Sequence, residues 1–184
     1  MLNRVVTVAA LAVGGMMLKK QLDKRQSSGG GSSIMESIEV DVPVRTAYNQ
    51  WTQFEDFPQF MGSVHEIKQL DDKRLHWKAN VAGEEKEWDA EITEQVPDKR
   101  IAWRSTSGVQ NAGVVTFHRL SDTCTRVTLQ MDYQPEGPME KIGDALGAVR
   151  LETRSNLQRF KEMLEKRGKE TGAWRGEISQ SSTH

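Results

Sequence analysis

The stretch IEVDVPVRTAYNQWTQFEDFPQFMG, residues 38–62, encodes a strand followed by two short helices. Apolar side chains at Ile38, Val40 and Val42 alternate with acidic ones, which predicts a half-buried strand ended by Pro43. The next apolar residues recur at helical spacing, and a proline stands where that helix would begin. These residues are Val44, Ala47, Tyr48 and Trp51.

A second short helix is predicted over the phenylalanine-rich end of this stretch. Pro58 breaks the helical pattern, and Gly62 provides a residue suited to ending it. The apolar residues around the proline are Phe54, Phe57, Phe60 and Met61. The order of strand, helix and helix is the starting point for the fold.

Alternating strands are predicted from Val64 to Tyr133. Turn-forming Asp, Gly, Pro and Ser residues separate the segments, and such short connections imply antiparallel neighbours. One apolar face per strand indicates a sheet that is covered on one side. The predicted inward residues are Leu75, Trp77, Ala79, Val81, Trp88, Ala90, Ile92, Val96, Ile101, Trp103, Val127, Leu129, Met131 and Tyr133. Residues 112–120 carry apolar side chains on both faces, so their inner side stays open.

One amphipathic helix is predicted after the sheet, with a length of about 28 residues and an end near Gly168. Its single apolar stripe favours packing on a sheet. Gly143 and Gly147 lie four residues apart, which would expose backbone for close approach by a strand or a ligand. The stripe consists of Met139, Ile142, Leu146, Val149, Thr153, Leu157, Phe160 and Leu164.

The two ends of the chain differ in composition from the middle. Residues 1–26 hold an apolar run over residues 5–18 with a basic flank, which favours a membrane anchor whose C-terminal side is cytoplasmic. A secretory signal, and a helix packed on a partner or an unstructured extension, are alternatives, because a 14-residue helix spans only about 21 Å. Residues 27–35 are predicted to be a flexible Gly/Ser linker, residues 36–167 the domain, and residues 168–184 a disordered tail.

The charged and reactive residues exclude several classes of function. A net charge of −1 provides no basic field for nucleic acid, and a single cysteine, Cys124, cannot form an internal disulfide. The histidines have no metal-ligand spacing, and no nucleophile or phosphate-binding motif is present. Of the histidines, His118 could face inward and act as an acid or base, but the favoured interpretation is a hydrogen-bonded or surface histidine. We therefore predict no metal, no cofactor and no catalytic residue.

The order of strand, two short helices, antiparallel strands and one long helix resembles the START-like superfamily, also called SRPBCC or helix-grip. The residues that carry the resemblance are Ile38–Val44, Ala47-Tyr48-x-x-Trp51 and Phe54–Met61, with Trp77 and Trp103 in the strands. The chain is most similar to the polyketide cyclase/dehydrase-like proteins and the coenzyme Q-binding branch. This implies an α+β fold in which about seven curved strands wrap around the long helix and enclose an apolar cavity.

The resemblance also implies a site and a function. For each residue of the implied site, core filling is the more common role of a side chain at inward spacing. We expect binding or carriage of a hydrophobic small molecule such as a quinone, lipid or polyketide. A polyketide cyclase or dehydratase, and a membrane-tethered protein-interaction domain, are the alternatives. The expected location is cytoplasmic, with tethering to the inner face of a membrane if residues 1–26 are an anchor. The site residues are Phe57, Phe60 and Met61 near an entrance, with Trp77, Trp88, Trp103, Leu129, Met131, Tyr133, Ile142, Leu146 and Val149 along the walls.

Overall fold

The computed structural model of the protein describes residues 32–133 and 139–179, and the side chains of all of these except 139–144. This part of the chain contains seven strands and three helices. The strands are β1 (Ser32–Val40), β2 (Val64–Gln69), β3 (Arg74–Val81), β4 (Glu84–Val96), β5 (Arg100–Ser105), β6 (Asn111–Ser121) and β7 (Cys124–Tyr133). The helices are α1 (Val44–Trp51), a 3₁₀ helix (Phe54–Gln59) and α2 (Met139–Arg167).

The seven strands form one antiparallel sheet in the order β1-β7-β6-β5-β4-β3-β2. Strands β2 to β7 follow one another as hairpins, and β7 then pairs with β1. Two strands that are neighbours along the chain, β1 and β2, therefore lie at opposite edges of the sheet. The segment with α1 and the 3₁₀ helix connects these edges. The predicted α+β helix-grip fold is confirmed.

The long helix α2 packs on the sheet through its C-terminal half. Leu157, Phe160 and Leu164 are buried, whereas Leu151 is 66% exposed. The helix ends where predicted, since Gly168 adopts a φ of 71° and its N–H donates to the Leu164 carbonyl at 2.7 Å.

An ion pair ties α2 to the sheet edge. The Glu36 side chain on β1 is only 12% exposed, and its carboxylate lies 2.8 Å from Arg154 Nε and 3.6 Å from Arg150 Nε. The hydrogen bond with Glu36 raises the pKa of the Arg154 guanidinium. The middle of α2 is thereby held beside β1.

The predicted linker, residues 27–35, extends too far along the chain. Strand β1 begins at Ser32, which pairs with Tyr133, and Ile34 is buried. The Gly/Ser-rich composition stops at Ser33, but Ser32 and Ser33 already belong to the ladder because β7 offers partners up to Tyr133. The sheet therefore begins four residues before the predicted domain boundary.

The tail is not disordered over residues 168–179, contrary to the prediction. Ile178 pairs with Gln95 as an antiparallel bridge and is only 5% exposed. Arg175 donates to both carboxylate oxygens of Asp98, at 2.9 and 2.8 Å, and its guanidinium lies over the Tyr48 ring. Polar composition predicted disorder, but these contacts anchor the segment on α1 and β4.

A bulge in β4 changes which residues face the core. The register shifts between Ile92 and Glu94, so Gln95 is buried and Val96 is half-buried. The strict alternation that we predicted for this strand, with Val96 inward and Gln95 outward, is wrong beyond Ile92. A bulge inserts one extra residue and exchanges the two faces.

None of the helices in residues 32–133 and 139–179 combines the length and apolar character needed to cross a bilayer. The apolar run at residues 5–18, which we predicted to be a membrane anchor, lies outside the described residues.

Candidate ligand-binding site

A cavity of about 430 Å³ lies between the inner face of the sheet and α2. Two tryptophans from adjacent strands form part of its wall. Trp77 of β3 pairs directly with Trp88 of β4, and their rings stack with centroids 5.7 Å apart and planes 10° from parallel. Their indole N–H groups have no acceptor within the described part of the chain. Both indole nitrogens are buried within the wall, so the surface that it presents to the cavity is flat and apolar.

An aromatic cluster lies at the buried end of the cavity. Trp51 and Phe57 line the cavity, and behind them Phe60 contacts both, with ring centroids at 5.7 and 5.2 Å. Phe160 of α2 lies 5.1 Å from Phe60. The cluster joins α1, the 3₁₀ helix and α2, and it closes one end of the cavity.

We predicted that Phe57, Phe60 and Met61 would lie near an entrance, and the structure does not place the first two there. Phe57 is buried in the wall, and Phe60 is only 1% exposed and does not line the cavity. Met61 lines the cavity and is half-buried. The reason is that the aromatic spacing around Pro58 directs these rings into the cluster with Trp51.

The helix wall of the cavity is made of small and polar side chains. These residues recur at three- and four-residue intervals on one face of α2, and small side chains leave room for a guest. They are Ala145, Ala148, Val149, Glu152, Thr153 and Asn156. The predicted stripe was rotated relative to this face: among its members with described side chains, Leu146 does not line the cavity and only Val149 and Thr153 belong to both sets.

The cavity reaches the surface where its lining residues become exposed. Asn80 and Ala82 at the β3–β4 hairpin, and Ala148 of α2, are exposed lining residues. Positive φ angles of 53° at Ala82 and 86° at Gly83 match a two-residue turn, and the Asn80 side-chain oxygen accepts the Gly83 N–H at 2.9 Å. A tight hairpin thus forms one side of the opening.

Nine of the twelve residues that we predicted to bind a ligand line this cavity. Whether they bind one stays a prediction. Phe60 and Leu146 do not line the cavity, and the Ile142 side chain lies outside the described residues. The nine are Phe57, Met61, Trp77, Trp88, Trp103, Leu129, Met131, Tyr133 and Val149.

Sequence reasoning missed the polar part of the lining. Asn80, Asn111, Glu152 and Asn156 all face the cavity, yet each was assigned to an outer face or left without a role. The position of Asn111 at the start of β6 gave no signal, because residues 112–120 alternate ambiguously. To predict that Glu152 and Asn156 face the cavity, one would have to know how α2 is rotated about its own axis.

No described histidine lines the cavity. His118 is exposed on the outer face of β6, so the inward position that an acid–base role required is wrong. His76 lies on the outer face of β3, where its Nδ1 is 2.7 Å from Asp89 and this hydrogen bond lowers the pKa of the Asp89 carboxyl. His65 contacts Glu85, also at the surface. All of the described histidine side chains therefore lie outside the cavity.

Fold and cavity together define a helix-grip protein with an apolar chamber between sheet and helix. Residues 40–162 match the family described as polyketide cyclase / dehydrase and lipid transport, and the chain belongs to this family. The resemblance to the START-like superfamily and its polyketide cyclase/dehydrase branch is confirmed. The finer assignment to the coenzyme Q-binding branch stays a prediction.

Comparison with known proteins finds one similar sequence and several similar structures. An uncharacterised 17.2 kDa protein of Streptomyces lincolnensis is 57% identical over 148 residues, which are 80% of this chain and 99% of that protein. The crystal structure of an aromatase/cyclase from Streptomyces sp. R1128 superposes with a TM-score of 0.66 at 14% identity, covering 79% of this chain and 100% of that one. A START superfamily protein of Mycobacterium smegmatis gives 0.64 at 14% identity, with 73% and 99% covered. The two structures show the shared fold.

Proposed function

We propose that this protein binds and carries a hydrophobic small molecule in the cavity between the sheet and α2. The observation that carries the proposal is a chamber of about 430 Å³ with an exposed opening and mainly apolar walls. Small-molecule sites have volumes of roughly 300–1,000 Å³ and apolar linings with a few polar groups. The helix wall supports the proposal as well, since alanines at positions 145 and 148 leave the space open.

Binding is favoured over catalysis by the chemistry of the lining. Acid–base catalysis needs a positioned proton donor or acceptor, most often a histidine and otherwise a carboxyl group, lysine, cysteine or tyrosine, of which the lining contains Tyr133 and Glu152. Glu152 is the one carboxylate among the described lining residues, and no described histidine accompanies it. The cyclase or dehydratase alternative therefore has weaker support than carriage of a quinone, lipid or polyketide-like molecule.

Two tryptophan substitutions on α2 provide the test. Val149 lines the cavity, whereas Leu151, two residues further, is 66% exposed on the outer side. Val149→Trp should fill part of the chamber and weaken binding of the neutral fluorescent probe N-phenylnaphthylamine by about tenfold or more, equivalent to roughly 1.4 kcal/mol. Leu151→Trp adds the same ring outside and should leave the affinity unchanged.

Fluorescence titration measures both affinities, and native mass spectrometry of the purified protein shows whether an apolar guest is retained. If the unmodified protein binds neither this probe nor any member of a quinone and lipid panel, the proposal is wrong. Equal affinities of the two tryptophan variants would place probe binding outside the cavity and would also contradict it.

A further inference from the structure

We infer that the cavity prefers a ligand whose apolar body ends in a hydrogen-bond donor, above all an ammonium group, and that Glu152 selects this end. The inference rests on the proposed function and deepens it by naming the chemistry of the guest. Two features of the lining carry it: an unpaired carboxylate on the helix wall and three tryptophan rings on the sheet wall.

Glu152 lies on the cavity face of α2 and is half-buried. It has no hydrogen-bond or ion-pair partner among the residues that the structure describes. Other acidic residues on the same helix are engaged: Glu165 pairs with Lys161 at 2.6 Å, and Glu162 accepts a hydrogen bond from Gln158 at 2.8 Å. The carboxylate of Glu152 is therefore available to a group inside the cavity.

The arginines of α2 nearest in sequence to Glu152 are occupied elsewhere. Arg150 and Arg154 lie against Glu36 on β1. Arg159 donates to the Phe60 carbonyl at 3.0 Å and to Asn156 Oδ1 at 2.9 Å. The cavity thus contains a negative group whose nearby cations already have other partners, so a donor or cation on the ligand would be the natural partner for it.

The sheet wall favours the same ligand end. Trp77, Trp88 and Trp103 all line the cavity, and the face of an indole ring attracts a cation within about 6 Å. The lining thus offers an ammonium group two kinds of partner, the carboxylate of Glu152 and the aromatic faces, while its apolar body fills the chamber. A carboxylate on the ligand would meet like charge at Glu152, which disfavours it.

Displacement of N-phenylnaphthylamine by three ligands of equal chain length tests the inference. The ligands are dodecylammonium, dodecanol and dodecanoate; the two ions are titrated below their critical micelle concentrations, and the alcohol below its solubility limit. The unmodified protein should bind them in that order, with about a tenfold advantage of the ammonium over the alcohol, as hydrogen bonds to charged groups provide. Glu152→Gln should remove most of that advantage, leaving only what the tryptophan faces contribute, and should strengthen dodecanoate, with dodecanol changed by less than about twofold.

Glu162→Gln is the matched control, because Glu162 lies on the same helix, is exposed and does not line the cavity. It should preserve the ranking of the three ligands. The thermal midpoint of the unliganded Glu152→Gln variant should be unchanged or higher, since an unpaired charge has been removed.

The outcomes separate this inference from the proposed function. If the probe does not bind to the unmodified protein, both fail. If the probe binds and Glu152→Gln leaves the ranking intact, the inference about Glu152 fails while ligand binding stands. A lower thermal midpoint with equal weakening of all three ligands would assign Glu152 a structural role and overturn the inference.

Discussion

Among single residues, Gly113 has a defined effect on the shape of the cavity. It lies on the inner face of β6 and pairs with Trp103 of β5. The Trp103 ring lies directly over this glycine, so a Cβ at position 113 would overlap the ring. The absence of a side chain at Gly113 is therefore what allows Trp103 to lie back against the sheet and leave the chamber open.

Gly113→Ala should destabilise the protein and narrow the cavity. The added methyl group must displace the Trp103 ring, and overpacking of this kind costs about 1–3 kcal/mol. The displaced ring should also weaken binding of N-phenylnaphthylamine. Urea unfolding measures the free energy of unfolding, and fluorescence titration measures the affinity.

Gly147→Ala is the control with the opposite expected sign. Beyond its own stretch of helix, a Cβ at Gly147 would meet no described atom within 4 Å, so the close packing of a strand that we predicted at this glycine is wrong. Alanine should stabilise α2 there by up to about 1 kcal/mol through helix propensity.

A double variant tests the explanation given for Gly113. If Gly113→Ala lowers the free energy of unfolding by as much in a Trp103→Leu background as in the unmodified protein, the clash with the Trp103 ring is not the cause of the loss.

Among the elements, the segment after α2, residues 168–179, is the one whose role the sequence did not predict. It forms a strap that crosses α1 and β4. Ile178→Ala should lower the free energy of unfolding by about 2 kcal/mol, since Ile178 is buried beside Gln95. Glu177→Ala, one residue earlier and exposed, should change it by less than about 0.5 kcal/mol. Urea unfolding of both variants checks the pair, and equal stabilities would show that the strap contributes nothing.

The sequence predicts elements well where one periodicity persists, and it fails where tertiary contacts decide. Alternation identified the inner faces of β3 and β7, and helical spacing placed α1. The bulge after Ile92 could not be predicted, because alternation places the apolar Val96 inward, whereas the structure buries the polar Gln95. The strap was missed for a different reason: Arg175 and Ile178 find partners more than seventy residues away along the chain, which composition cannot reveal.

At the scale of the whole molecule, the sequence indicates an apolar chamber but not its polar end. The strand tryptophans follow from alternation alone. The helix wall depends on how α2 is rotated about its axis, and the ion pair of Glu36 with Arg154 contributes to that rotation. A stripe of large apolar residues was the natural prediction, whereas the structure turns alanines and Glu152 toward the cavity. The features that distinguish one guest from another are thus the least predictable from sequence.

The last prediction separates the N-terminal segment from the domain. The described residues that line the cavity run from Trp51 to Asn156, and β1 begins at Ser32, so deletion of residues 1–26 removes none of them. The affinity for N-phenylnaphthylamine should therefore stay within about twofold of the full chain. If residues 1–26 are a membrane anchor, the full chain should sediment with vesicles of anionic phospholipid and the deletion variant should stay in the supernatant. Equal sedimentation of the two proteins would contradict the anchor and leave the cavity proposal intact, whereas a large loss of affinity would mean that the segment takes part in binding.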